Sequence, residues 1–124
     1  MPQNSIKLSF CQIIMIDEFT IEVIPKAGIE VGEAEINEYH RFFNQLAHPV
    51  NVLVNRSNSY SYSFAALLKI AVNKNMLAAA ILLKDSSKIP EAEYIASAMK
   101  GGLLIQIFTD RSLALNWLRD QRVS

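Results

Sequence analysis

The sequence predicts one α/β domain: a five-stranded mixed, mostly parallel sheet with an N-terminal β-hairpin and four helices, in the order ββαβαβαβα. Three observations lead there. Short apolar runs, VNVLVN (50–55), MLAAAILL (76–83) and LLIQIF (103–108), recur along the chain. Such runs are expected of strands covered on both faces. Between them lie segments whose apolar residues repeat at three and four, the period of a helix with one inward face. Ahead of all these, alternation at two marks a pair of strands joined by a tight turn. Strands alternating with helices imply parallel pairing and right-handed crossovers.

The elements follow in order. Ile6, Leu8 and Phe10 alternate with Lys7 and Ser9, so one strand face is expected to be buried. The phase slips near Cys11-Gln12, and IIMI continues extended, which predicts a bulge or bend within a single strand. Asp17-Glu18 turns the chain into FTIEVIP, where Phe19, Ile21 and Val23 alternate with Thr20 and Glu22 until Pro25 ends the strand. Beyond Gly28, the residues Ile36, Tyr39, Phe43 and Leu46 define an amphipathic helix. Glu33, Glu35 and Glu38 form its solvated acidic start, and His48-Pro49 stops it. Phe64, Leu67, Leu68 and Ala71 form a second helical stripe, ending near Asn73–Asn75. MLAAAILL is a buried central strand. Pro90 opens a third helix carrying Ala92, Ile95 and Met99, which Gly101-Gly102 ends. LLIQIF is the last strand. Asp110 caps a closing helix with Leu113, Ala114, Trp117 and Leu118 inward.

The totals bound the function. At 124 residues the chain holds one domain over 1–124, with an ordered core of about 5–121, and 51% apolar residues exclude global disorder. Twelve basic and twelve acidic side chains cancel, so no net field draws nucleic acid. Residues 1–62 carry −3 and the remainder +3, read as opposite solvated surfaces. The lone Cys11 has no internal partner and fits a reducing compartment. LSFCQIIMI is followed by Asp17-Glu18 without a cleavage site, and the greasy stretch 64–83 contains Lys69 and Lys74. No membrane span is expected, and the predicted location is cytoplasmic.

Chemistry concentrates in one tract, LVNRSNSYSYSF (53–64), which leaves the carboxyl end of a strand and enters a helix. Crevices beyond strand carboxyl ends are the usual ligand positions in open α/β sheets. Backbone N–H groups at a helix start favour an anion. Arg56 offers a guanidinium able to grip phosphate or carboxylate at two points. Ser57, Ser59 and Ser61 supply hydroxyls, Asn55 and Asn58 turn-forming amides, and Tyr60 and Tyr62 flat faces with polar tips. The expected binding site is therefore Asn55, Arg56, Ser57, Asn58, Ser59, Tyr60, Ser61 and Tyr62. The structural alternative is that Ser61 or Ser63 caps the helix, the tyrosines close the core, and Arg56 pairs with an acid.

Other chemistry is sparse. His40, His48 and Cys11 lack metal-ligand spacing. The glycines are only Gly28, Gly32, Gly101 and Gly102, so neither a phosphate-binding loop nor a Gly-x-Ser-x-Gly elbow is present. No cofactor, metal or catalytic residue is expected.

The order of elements, VNVLVNRSNSYSYSF, MLAAAILL and the ending IFTDRSLALNWL together resemble the SpoIIAA-like branch of STAS domains, the anti-sigma-factor-antagonist fold, across about residues 6–118. The resemblance implies a small α/β module without catalytic activity that binds a regulatory protein partner or a small anion. In that branch a serine after the central strand is phosphorylated, and Ser57 and Ser59 are the nearest counterparts. The branch's Asp-Ser and following glycine are absent here, where Asn55-Arg56-Ser57-Asn58-Ser59 stands. Relatives resemble CRAL-TRIO lipid-binding domains, so a carrier of an apolar ligand beside Ala78, Ala79 and Ala80 is the second expectation. A hydrolase using a loop serine is the third. An edge strand of the hairpin, or an exposed helix face, would allow a homodimer.

Overall fold

A computed structural model describes residues 5–99 and 102–121. Six strands form the main sheet, in the order β1 (Ser5–Lys7), β2 (Cys11–Asp17), β3 (Thr20–Pro25), β5 (Val50–Asn55), β7 (Met76–Leu82) and β8 (Leu104–Phe108). The three carboxyl-terminal pairings, β3 with β5, β5 with β7 and β7 with β8, are parallel, whereas β1–β2 and β2–β3 are antiparallel.

The sixth strand corrects the expected five. What reads as one bent strand is β1 (Ser5–Lys7) folded back on β2 (Cys11–Asp17), with Ser5 opposite Ile14 and Lys7 opposite Gln12. The reason is the phase slip itself. Phe10 and Cys11 are adjacent in sequence yet both buried, which alternation along one straight strand forbids and a reversal permits. The turn is pinned by Leu8 N–H donating to Cys11 O at 2.9 Å. It is also pinned from outside by Glu38, whose carboxylate accepts the Ser9 N–H at 3.1 Å and the Ser9 hydroxyl at 2.6 Å. Glu38, expected as a solvated helix charge, thus anchors the hairpin.

β3 (Thr20–Pro25) follows a tight turn in which Phe19 N–H donates to Asp17 Oδ1 at 2.8 Å. Thr20 and Glu22, expected on an exposed face, are both 4% exposed. The face of β3 that carries them is covered, with Asn55 and Arg111 lying on Glu22. After β3 comes a short strand absent from the sequence reading. β4 (Glu30–Val31) pairs in parallel with β6 (Ser61–Tyr62) as a separate two-stranded ribbon.

α1 (Glu33–Asn44) buries Ile36, Tyr39 and Phe43, and Glu35 reaches back to accept the Gly32 amide at 2.9 Å. β5 (Val50–Asn55) runs through the centre. α2 is only Phe64–Lys69, and its inward residue is Ala66, whereas Phe64 is 74% exposed. Of the expected stripe Ala71 is buried and Leu67 and Leu68 are half-buried, so only Phe64 was misplaced, on a helix too short for its period to be read. β7 (Met76–Leu82) is the buried strand expected, lying between β5 and β8 (Leu104–Phe108). α3 (Ile89–Ala98) has Pro90 in its first turn and buries Ala92. Gly102 has φ +73°, suited to ending the segment after α3, and Gly101 lies outside the described residues. Asp110 caps α4 (Arg111–Gln121) through Leu113 N–H at 3.0 Å. Ala114 and Leu118 face inward from it, while Leu113 is 59% exposed.

The sheet divides the core in two. Ile21, Val23, Val50, Val52 and Ala79 face α1 and α2. Ile81, Ile105 and Ile107 on the same face meet α3. On the opposite face α4 covers Leu53, Ala78 and Ala80. Among the described residues three helices lie on one side and one on the other, and α4 lies mainly over β5 and β7, reaching β8 through Trp117 on Phe108.

Candidate functional site

The carboxyl ends of β5 and β7 lie side by side, so the loops after them, residues 56–60 and 83–88, face each other across a cleft of about 250 Å³. Arg56, Ser57, Asn58 and Ser59 form one wall. Lys84 and Lys88 stand on the other, with Asp85 and Glu91 beside them.

Asn55 sets the loop's direction. Its Oδ1 accepts Ser57 N–H at 2.9 Å, closing a side-chain turn, and its Nδ2 donates to Glu22 Oε2 at 2.9 Å. Glu22 also receives Arg111 from the start of α4, at 2.6 and 3.0 Å. Burial alone would raise the Glu22 carboxyl. Hydrogen bonds from Arg111 and Asn55, with the guanidinium charge, more than offset it and hold the group below the ordinary carboxylate value. This clamp joins β3, β5 and α4 directly beneath the loop.

Arg56 fixes the first wall. Its N–H donates to Leu82 O at 2.9 Å, and its guanidinium lies 4.6 Å from the centroid of the Tyr60 ring. Among the described residues no carboxylate lies within ion-pair distance of that guanidinium. Further on, Asn58 Nδ2 donates to Pro25 O at 3.0 Å, and Ser59 O accepts Gly28 N–H at 2.7 Å. The amides of Asn58 and Ser59 meet no acceptor among the described residues.

The second half of the tract is spent on the fold. Ser61 N–H donates to Ile29 O and Ser63 N–H to Val31 O. Tyr60 is 9% exposed and joins the core, and Tyr62 packs against it. Their hydroxyls lie 3.3 Å apart, and burial pushes both phenols up from their ordinary value. Tyr62 is turned into the core, whereas the largely buried Tyr60 still lines the cleft, with the Arg56 guanidinium over its ring. Ser63 caps α2, its Oγ accepting Ala66 N–H at 3.1 Å. The first turn of α2 does not line the cleft, so the helix start expected to attract an anion is elsewhere. Of the expected site residues, Arg56, Ser57, Asn58, Ser59 and Tyr60 line the cleft, with Ser57 and Ser59 both exposed.

Sequence reasoning passed over Lys84, Lys88 and Arg111. The signal was present in part: β7 neighbours β5 in a parallel sheet, so polar residues just after MLAAAILL fall beside those just after VNVLVN.

The remaining candidates lie apart. His40 Nε2 donates to Lys69 O at 2.7 Å, and its Nδ1 accepts from Asn73 Nδ2 at 3.0 Å, tying α1 to the end of α2. His48 Nδ1 is 3.0 Å from Pro49 O. Neither imidazole reaches Ser57 or Ser59. Cys11 is buried, and desolvation pushes its thiol up to about 12. Among the described residues no cluster of His, Cys, Asp and Glu is placed to hold a metal ion, and no helix is long and apolar enough to cross a membrane. Trp117 is half-buried, its ring 5.7 Å from that of Phe108. Beneath α2 and α3 an apolar pocket lined by Tyr39, Val54, Ile81, Met99 and Ile105 has about 30 Å³, room for a single water and far short of an acyl chain.

Neither a family model nor a curated protein matches the chain. Among solved structures it is similar to an uncharacterized protein of the DUF3478 family with a SpoIIAA-like fold, from Shewanella loihica PV-4. The TM-score is 0.53 at 14% identity, covering 87% of this chain and 91% of that one. At that identity the likeness is one of fold. The chain has a SpoIIAA-like α/β fold.

Proposed function

We propose that the protein is a non-enzymatic regulatory binding module that takes an oxyanion in the cleft between residues 56–59 and 84–88. The oxyanion is either a small free anion or the acidic side chain of a partner protein. The single observation that carries this reading is Arg56, its guanidinium 4.6 Å from the centroid of the Tyr60 ring and lacking a carboxylate partner among the described residues. A guanidinium fixed in this way loses little freedom on binding and presents two parallel donors. Lys84 and Lys88 add charge from the opposite wall, and the Asn58 and Ser59 amides add donors. Phosphorylation of exposed Ser57 or Ser59 would place a dianion at the mouth of the same cleft and compete for it.

The test is a titration of isotopically labelled protein followed by amide resonances. Inorganic phosphate or phosphoserine should shift the Asn58 and Ser59 amides saturably, and Arg56→Ala should abolish the response. A response to inorganic phosphate identifies a free anion. One confined to phosphoserine or an acidic peptide identifies a partner's side chain. Wild-type resonances unmoved by any of these probes would rule the reading out.

A further inference from the structure

β8 forms one edge of the main sheet, and among the described residues nothing pairs with its outer side. The two edges are treated differently. β1, at the far side, ends on exposed Lys7, a charge that discourages another strand from adding. β8 is five residues long, LIQIF, without a charge. Leu104 on it is 53% exposed. Beside it runs an open groove of about 480 Å³, floored by Ile105 and Ile107 and walled by Ile89, Glu93 and Ala96 of the α3 side. An uncharged apolar edge of this length is a template for further pairing.

The backbone phase says which groups are free. Leu83 N–H donates to Phe108 O, so Phe108 directs its polar groups at β7. Gln106 and Leu104 share its parity and do the same, which leaves the N–H and C=O of Ile105 and Ile107 pointing outward. We infer that this edge pairs antiparallel with β8 of a second copy, about a two-fold axis through Gln106. Only that register overlaps the strand along its whole length. It sets Ile105 opposite Ile107 of the second copy as doubly hydrogen-bonded pairs, using the outward groups on both chains. Gln106 faces its own copy in a close, non-hydrogen-bonded pair. On the α4 face, exposed Leu104 then lies opposite Phe108 of the second copy, beside Trp117. On the α3 face, the isoleucines of each chain fill the groove of the other. The strand is self-complementary, as an isologous contact requires, and no like charges meet across it. The six-stranded sheet continues unbroken into that of the partner copy.

The experiment uses the full chain. Light scattering and sedimentation should give a dimer whose mass falls on dilution. Gln106→Glu, exposed and outside the core, brings two carboxylates together on the axis and should weaken association on the order of a hundredfold. Gln106→Lys should do the same, and mixing the two variants should restore a dimer. Circular dichroism and melting confirm that each variant is folded. Gln106→Cys should form an intermolecular disulfide under mild oxidation, whereas Val72→Cys, exposed at the end of the α2 segment, should not. A wild type that is monomeric at every concentration overturns the inference. So does a dimer indifferent to Gln106→Glu, or equal cross-linking of the two cysteine variants.

Discussion

Glu22 on the third strand and Arg111 at the start of the last helix stand 89 residues apart in sequence and share two hydrogen bonds, of 2.6 and 3.0 Å. The carboxylate side chain is 5% exposed and the arginine 48%. The pair is therefore asymmetric: removing the arginine strands a buried charge, with only Asn55 left to it.

We expect Arg111→Ala to cost about 2–4 kcal/mol at neutral pH, the half-exposed arginine keeping the loss below that of a fully buried pair. The pH dependence checks the cause. In the wild type the Glu22 pKa is lowered on folding, so its stabilisation is complete above the unfolded carboxylate value and is lost as pH falls through the folded one. In Arg111→Ala burial dominates and the carboxyl is raised, so acidification toward about pH 5 should narrow the deficit. Urea unfolding of both proteins at the two pH values measures this. A deficit independent of pH would point to lost packing instead.

Arg56 separates grip from charge. Arg56→Lys keeps one positive charge and gives up the planar fork and its stacking on Tyr60. We expect phosphoserine affinity to fall roughly tenfold in Arg56→Lys and beyond detection in Arg56→Ala, with melting temperatures nearly unchanged. Calorimetric titration beside a thermal melt distinguishes this from a folding defect, which would lower both quantities together.

The loop is tethered at its base by Gly28, whose N–H donates to Ser59 O at 2.7 Å from a backbone with φ +76°. A Cβ there meets nothing within 4 Å, so Gly28→Ala suffers only from the left-handed conformation, at about 1 kcal/mol. Ser63→Ala removes the cap of α2, again at about 1 kcal/mol. We expect Gly28→Ala to speed hydrogen exchange in β4 and β6, and Ser63→Ala to speed it in α2. Exchange mapping that shows no such localisation would contradict the tethering described here.

Glu38→Gln tests the hairpin anchor. The carboxylate accepts from both the amide and the hydroxyl of Ser9. The amide side chain retains one acceptor and no charge, so a loss of about 1 kcal/mol is expected, with faster exchange confined to β1 and the 8–11 turn. Ser9→Ala in the same background should add little if the two residues act as a unit.

Much of the fold was legible in local pattern. VNVLVN and MLAAAILL read as buried parallel strands because short, mainly apolar runs suit a strand covered on both faces; Asn51, the buried polar exception, donates to Leu118 O at 2.7 Å. Pro90 and Asp110 marked helix starts because their effects depend on near neighbours alone. The reversal at residues 8–10 was visible only as a phase slip, which a bulge and a turn produce alike. The β4–β6 ribbon left almost no trace, since two-residue strands are stabilised by partners about thirty residues away. At the candidate site, position after β5 and the residue types of 55–59 were readable. The inward turn of Tyr60 and Tyr62 was not, because amphipathic side chains suit a ligand face and a core edge equally.

By itself, then, the sequence determined the element types, their alternation and the strand end where polar residues gather, because periodicity and capping act over a few neighbours. Tertiary structure decided which distant groups meet: Glu22 with Arg111, Arg56 with Tyr60, and Lys84 across from Ser57. It also decided which edge stays uncovered. Those outcomes depend on where helices cross the sheet, a long-range packing choice that no local pattern encodes.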